Sequence, residues 1–276
     1  MSASDFAPSN ANAPRELTPA IAIADLQQTE DTSKRYYAAW WIGNQGVTDV
    51  AARQALIEAL TDDTDRSPDG GYPLRRNAAK ALGKLGDLQA VKPLIACLAC
   101  DDYYVRESAA QALEVLGDER AIAPLVGLLA GGVAAAIAVP GKPHLVQPYN
   151  SILEALGTLG ATAAIAEIEP FCQHDTARIT YSAHRAMYQL TGEDRYAEFL
   201  VRALTGTELQ LRRSALIDIG AIGYYPAVHS VAQTLAENSL KLIALKGILE
   251  RTIVDHADPP LSPETLTTLQ LMDDLL

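Results

Sequence analysis

Four large rings, Tyr36, Tyr37, Trp40 and Trp41, stand within six consecutive residues. Rings gathered on a polar face mark a surface for a ligand or a partner, because an amphipathic ring gains by covering its apolar body. Arginines form a second set. Arg35, Arg75, Arg106 and Arg212 recur at one register of a repeated segment, with Arg76 and Arg213 beside two of them. A guanidinium can hold a carboxylate through two parallel bonds, so this set would suit a ligand with carboxylate arms. The first arginine of each copy also has a structural reading, as a group bonding an acid of the preceding turn, here Asp101 or Asp102 for Arg106. Tyr72, Tyr103 and Tyr104 lie at helix starts, where a tyrosine serves as edge packing or adds to a ring surface. His144 is the most loop-like of five histidines, but spacing proposes no Ser-His-Asp or His-Cys-Asp arrangement. No phosphate loop or dinucleotide fingerprint is present.

Metal chemistry finds little support. Cys97 and Cys100 form a C-x-x-C inside an apolar run, without the second ligand pair of a zinc site, and read as core with Cys172. Three cysteines cannot make a disulfide framework. The acids of 62–73 resemble a calcium loop, but Pro68 stands where that loop needs Gly and Leu74 where it needs the final Glu. A formal charge of −12 with no basic stripe excludes a phosphate-neutralising surface for nucleic acid. No long apolar run and no signal-like start are present, so the expectation is a cytoplasmic protein without membrane insertion.

The elements that must position these residues come from a repeat. Leu74–Asp87 matches Val105–Asp118 at a shift of 31 residues, and the downstream Ala90, Pro93 and Leu98 meet Ala121, Pro124 and Leu129. Each unit is a helix, a Gly-Asp turn, then a helix opened by Pro. Looser copies at Arg35–Gly43, Ile152–Gly160, Ala183–Leu190 and Leu211–Gly223 bring the array to about six units, enough to support itself through neighbour contacts. Leu74, Ala78, Leu82 and Leu85 give one apolar stripe per helix. The pattern resembles the HEAT repeat, which implies an all-α, armadillo-type, crescent-shaped solenoid.

The alignment also sorts positions by their demand for burial. Tyr36 falls with Arg76, Glu107 and Arg213, Tyr37 with Asn77, Ser108 and Ser214, and Trp40 with Lys80, Gln111 and Ile217, so these rings should face water; Trp41 falls with Ala81, Ala112 and Asp218 and is less clearly exposed. Two insertions, 62–73 and 131–148, break the period, and long loops of this kind are often functional. The expected division is a disordered tail at 1–18, a repeat domain at 19–251, and a linker with a short helix at 252–276. That helix carries Leu266, Leu269, Met272 and Leu276 on one side.

The segments Arg35–Gly43, Asp65–Arg76 and Gly141–Tyr149 resemble the E subunit of the cyanobacterial E/F-type phycobilin lyases, particularly those serving the phycocyanin α subunit. The likeness spans nearly the whole chain except its tails, and it rests on insertions and rings that repeat stacking does not dictate. It implies one half of a heterodimeric enzyme that joins phycocyanobilin, as substrate, to a cysteine of the apo-phycocyanin α subunit by a thioether bond. It implies an F-type partner and no permanently bound cofactor. On that resemblance Tyr36, Tyr37, Trp40 and Trp41 would stack on the pigment, with Tyr72, Tyr103 and Tyr104 nearby. Arg75, Arg76, Arg106 and Arg213 would hold propionates, and Asp69 or Glu107 would serve the pyrrole nitrogens. A bilin chaperone or a phycobilisome turnover factor of the same fold is the alternative.

Overall fold

The computed structural model describes residues 17–64, 66–254 and 262–276; most of the expected tail at 1–18 lies outside them. Every described element is helical apart from one isolated bridge between Ala138 and Leu145. The chain starts with α1 (Pro19–Gln27), and from there long and short helices alternate. The long ones are α2 (Thr32–Gln45), α4 (Pro73–Leu85), α6 (Tyr103–Leu116), α9 (Tyr149–Thr158), α11 (Ala177–Thr191), α13 (Leu209–Ile222) and α15 (Asn238–Val254). Between them run α3 (Val50–Ala59), α5 (Val91–Cys97), α7 (Ile122–Gly127), the short α8 (Gly132–Ala135), α10 (Ile165–Ile168), α12 (Asp194–Ala203) and α14 (Val228–Gln233).

The Gly-Asp turn works as its residue types demand. Gly86 and Gly117 take left-handed backbone at φ 72° and 68°, which ends the long helix, and the next residue caps the following turn. Asp87 accepts a bond from the Gln89 amide, and Asp118 from that of Arg120.

Each long helix packs on the next in chain order, forming one continuous layer. The approach is set by small residues. A Cβ added at Gly43 would lie 2.6 Å from the Ala81 Cα, and one at Gly83 would lie 2.9 Å from the Ala112 Cα. Helices drawn together through Gly and Ala make their layer the shorter one, so the array bends toward it and the long helices line the inner face. The core runs along the stack in two blocks, one from α1 to α12 and one from α11 to α15, which meet at Tyr188.

Two expectations about the end of the chain change. The last long helix continues to Val254, and α16 (Pro263–Asp273) packs on α14 and α15 as a cap. Its buried face carries Thr265 and Thr268, while Leu266 and Leu276 are exposed. Threonine tolerates this place because Thr268 returns its hydroxyl proton to the Glu264 carbonyl of its own helix.

Candidate functional site

The first ring cluster faces outward. Tyr36, Tyr37 and Trp40 are 45%, 50% and 45% exposed, and Tyr37 stacks on Trp40 with centroids 5.4 Å apart. They sit on α2, whose Ala38, Ala39 and Ile42 face the core instead. Trp41 does not join them: it is half-buried against the core, as its alignment with alanines foreshadowed. Asn77 of α4 donates to the Tyr36 carbonyl at 3.1 Å. Because Tyr36, Arg76 and Glu107 share one register on three successive long helices, the rings begin a row that crosses the inner face.

That row runs into a cleft of about 460 Å³ between the two insertions, lined among others by Asp69, Arg76, Tyr103, Tyr104, Lys142 and His144. Asp102 organises its floor. One of its carboxylate oxygens caps α6 by accepting from the Tyr104 amide at 2.9 Å. The other accepts from the Tyr72 amide and from Arg76 Nε, each at 2.8 Å. Arg76 therefore lies flat over the Tyr104 ring, 4.5 Å from its centroid. The second insertion folds back through a tight turn, with the Val139 amide donating to the His144 carbonyl at 3.1 Å. This sets the imidazole against Tyr103 at 4.1 Å, nearly parallel.

Asp69 is exposed at the rim, bonded by the Ser67 hydroxyl, which lowers its proton affinity. Glu107 is half-buried on α6, and loss of hydration raises its proton affinity against the opposing pull of Lys80, Arg76 and His144. One acid is thus held ionised while the other is biased toward its neutral form.

Several expected ligand contacts are corrected. Arg106 is buried and gives its bonds to Gln147 Oε1 and to the carbonyls of Cys100, Asp101 and Val146. It staples the second insertion to the preceding turn, through main-chain oxygens rather than an acid. Arg75 likewise bonds the Asp62 and Thr61 carbonyls and pairs with Asp63. Tyr72 is buried with Arg66 and Arg75 against its ring, at 5.0 and 3.9 Å. All three side chains are engaged by the protein itself, although Arg106 still lines the cleft. Arg213 pairs with Glu237 on α13, with α9 and α11 between it and the helix that floors the cleft, so it is not gathered there. Cys97 is core as expected and Cys172 is buried too, while Cys100 is only partly buried; burial pushes the Cys97 thiol up to about 11 and the Cys172 thiol up to about 12. Neither is poised as a nucleophile.

A second charged constellation on the inner layer has no counterpart among the sequence expectations. Arg178 bridges Glu154 and Asp218, and Arg185 bonds Glu114 while lying 3.5 Å from Glu154 and 3.7 Å from Asp218. Three carboxylates thus meet two guanidiniums. Asp218 is fully buried, and its Oδ1 and Arg185 Nε lack hydrogen-bond partners among the described residues. Desolvation raises the Asp218 pKa to about 6, with Arg178 opposing and Glu154 adding. The signal was present in sequence, since Asp218 occupies a register filled by Ala81 and Ala112. Folding raises this pKa above 3.8, so its contribution favours the fold at low pH and is lost as pH rises through the folded value. Relative to Asp218→Asn, the native chain should lose roughly 1–3 kcal/mol between about pH 4 and 6.5 in urea unfolding. Parallel curves for the two proteins would show that the acid excess carries no cost.

Among the described residues no group of three His, Cys, Asp or Glu could hold a metal ion, and no helix is long and apolar enough to cross a membrane.

Comparison with known proteins fits this arrangement. A family model described as HEAT repeats matches residues 20–114 and 66–138. The phycocyanobilin lyase subunit alpha of Picosynechococcus sp. is 66% identical over 255 residues, covering 92% of this chain and 95% of that protein. The protein of the same name from Synechocystis sp. is 59% identical, with 92% and 95% covered. The bilin biosynthesis protein PecE of Nostoc sp. is more distant, at 45% identity over 87% of this chain and 90% of its own length. A chain in the solved complex of CpcE and CpcF of phycocyanin lyase from Nostoc sp. PCC7120 superimposes with a TM-score of 0.90 at 54% identity, with both chains fully covered.

Proposed function

The chain belongs to the family of phycocyanobilin lyase α subunits, and from that premise we infer that it works as one half of a heterodimer with an F-type partner. The enzyme attaches phycocyanobilin to a cysteine of the apo-phycocyanin α subunit. The acceptor supplies the sulfur, which accounts for a chain that buries Cys97 and Cys172 and leaves Cys100 only partly exposed.

What the fold contributes is restraint. A free bilin coils and adds thiols without stereochemical control, so a curved rigid surface that holds one conformer and bares one face supplies both rate and selectivity. Tyr36, Tyr37 and Trp40 stack on the tetrapyrrole, and Arg76 with Lys142 takes propionates at the cleft. Asp69, held as a carboxylate, pairs with pyrrole N–H groups, and Glu107 is the group able to give up a proton. Supporting these roles is one observation: exposed stacked rings stand on α2, and a cleft lined by Arg76, Tyr103 and Tyr104 lies on α4 and α6, the next long helices in the stack. On this reading the work takes place in the cytoplasm.

Co-expression of this chain with its F-type partner, a bilin-producing pathway and the apo α subunit should yield a pigment that stays bound in denaturant. Pigment retained in native buffer but released in denaturant would overturn the lyase reading and leave a bilin carrier.

A further inference from the structure

Addition of a thiol across the ethylidene double bond needs a base for sulfur, and neither Asp69 nor Glu107 suits that task. The first faces solvent at the rim, and burial raises the proton affinity of the second, which suits it to donate rather than to accept first. His144 answers the description.

Its Nδ1 lies 2.8 Å from the Leu145 carbonyl. A carbonyl oxygen only accepts, so Nδ1 carries the hydrogen and the lone pair of the neutral ring sits on Nε2. Nε2 has no bond to any described residue. The ring cannot swing freely, because it is stacked on Tyr103 with planes 12° apart and meets the edge of Tyr104 with centroids 5.8 Å apart. The Arg106 staple holds the strand that follows it, and His144 itself is half-exposed in the wall of the cleft. Two other histidines are spent differently, and the exposed His229 stands on α14, away from the cleft. His174 uses both nitrogens, one toward the Ala136 carbonyl and one accepting from the Thr176 amide. His184 is buried, bonded to the Thr180 carbonyl and stacked on Phe199.

We propose that His144 is a catalytic base of the attachment step, taking the proton from the acceptor cysteine while the pigment lies in the cleft beside it. This rests on the lyase reading above. The S–H bond breaks toward Nε2, sulfur bonds the ethylidene carbon, and the electron pair of the double bond moves to the adjacent ring carbon. That carbon takes a proton from the carboxyl of Glu107, which stands one helical turn along α6 from Tyr103, the ring on which His144 is stacked. The imidazolium afterwards returns its proton to the Glu107 carboxylate, directly or through water, so that the net change is addition of S–H across C=C.

The test uses the intact heterodimer with phycocyanobilin and the apo α subunit. His144→Gly should slow adduct formation by about 100-fold, and added imidazole should recover much of the rate, while the absorbance change on pigment binding stays as in the native enzyme. His144→Gln, which keeps the loop filled, should be equally slow but not recover with imidazole. Near-native rates in either variant would overturn the proposal. So would slow variants that no longer bind pigment, which would make His144 a positioning residue. A native heterodimer that binds pigment but forms no adduct would instead remove the lyase reading itself.

Discussion

Replacing Tyr36 and Trp40 together by Ala should abolish pigment transfer while leaving the far-ultraviolet circular dichroism and the unfolding midpoint close to native. The two rings are nearly half exposed and their sister positions hold Arg76, Glu107, Lys80 and Gln111, so truncation opens no cavity in the core. Stacking of a flat conjugated system on an aromatic ring contributes about 1–3 kcal/mol per ring, and loss of two such contacts lowers transfer by roughly 100-fold or more. Trp40→Phe should retain most of the rate, because a ring remains to stack against Tyr37. A double Ala variant that still loads the acceptor at the native rate would move the pigment off α2 altogether. A loss of helicity would mean instead that these rings are part of the packing.

Arg106→Ala should be the most damaging single change near the cleft, and for a structural reason. The guanidinium is 9% exposed and donates to one side-chain oxygen and three main-chain carbonyls that join the turn before α6 to residues 146 and 147. Truncation leaves those acceptors in a place water reaches poorly, at a cost of about 3 kcal/mol. The thermal midpoint should fall by roughly 10 °C, and the tip of the second insertion near Lys142 should become the first site of limited proteolysis. Arg106→Lys should recover little, since an ammonium cannot reach in two directions at once. The readout that separates this account from a ligand-binding role is pigment affinity in a variant that remains folded. An Arg106→Ala protein with native stability and lost binding would restore the guanidinium to the propionates.

The contrast between Arg76 and its neighbour Arg75 shows how far residue types carry. Both are conspicuous in sequence, and the repeat alignment puts them one position apart. A shift of one residue turns a helical side chain by about 100°, so Arg75 turns back to bond the Asp62 and Thr61 carbonyls while Arg76 lies over Tyr104 in the cleft. Sequence could say that the two differ. Which one reaches the cleft depended on where the Asp62–Asp63 turn and Asp102 came to rest.

His144 and Asp218 illustrate two other kinds of limit. The second insertion was visible as a break in the period, but a loop carries no register, and only its staple to Arg106 brings the imidazole onto Tyr103. Asp218 was visible as an acid in an alanine register. Its partners Arg178 and Arg185 come from α11 and are shared with Glu154 of α9 and Glu114 of α6, and no local pattern names them.

By itself the sequence determined that this protein is a stack of paired helices, that Tyr36, Tyr37 and Trp40 escape its core, and that two loops interrupt it. These are consequences of periodicity, because a repeat reports the burial demanded at every position by comparing its own copies. Tertiary structure alone decided that both loops close over one end of α6, that Asp102 rather than a ligand claims one side of Arg76, and that Arg106 is a staple. Such outcomes are set by contacts between segments with no shared register, where the free energy of burial and pairing depends on the distance the folded backbone leaves between them.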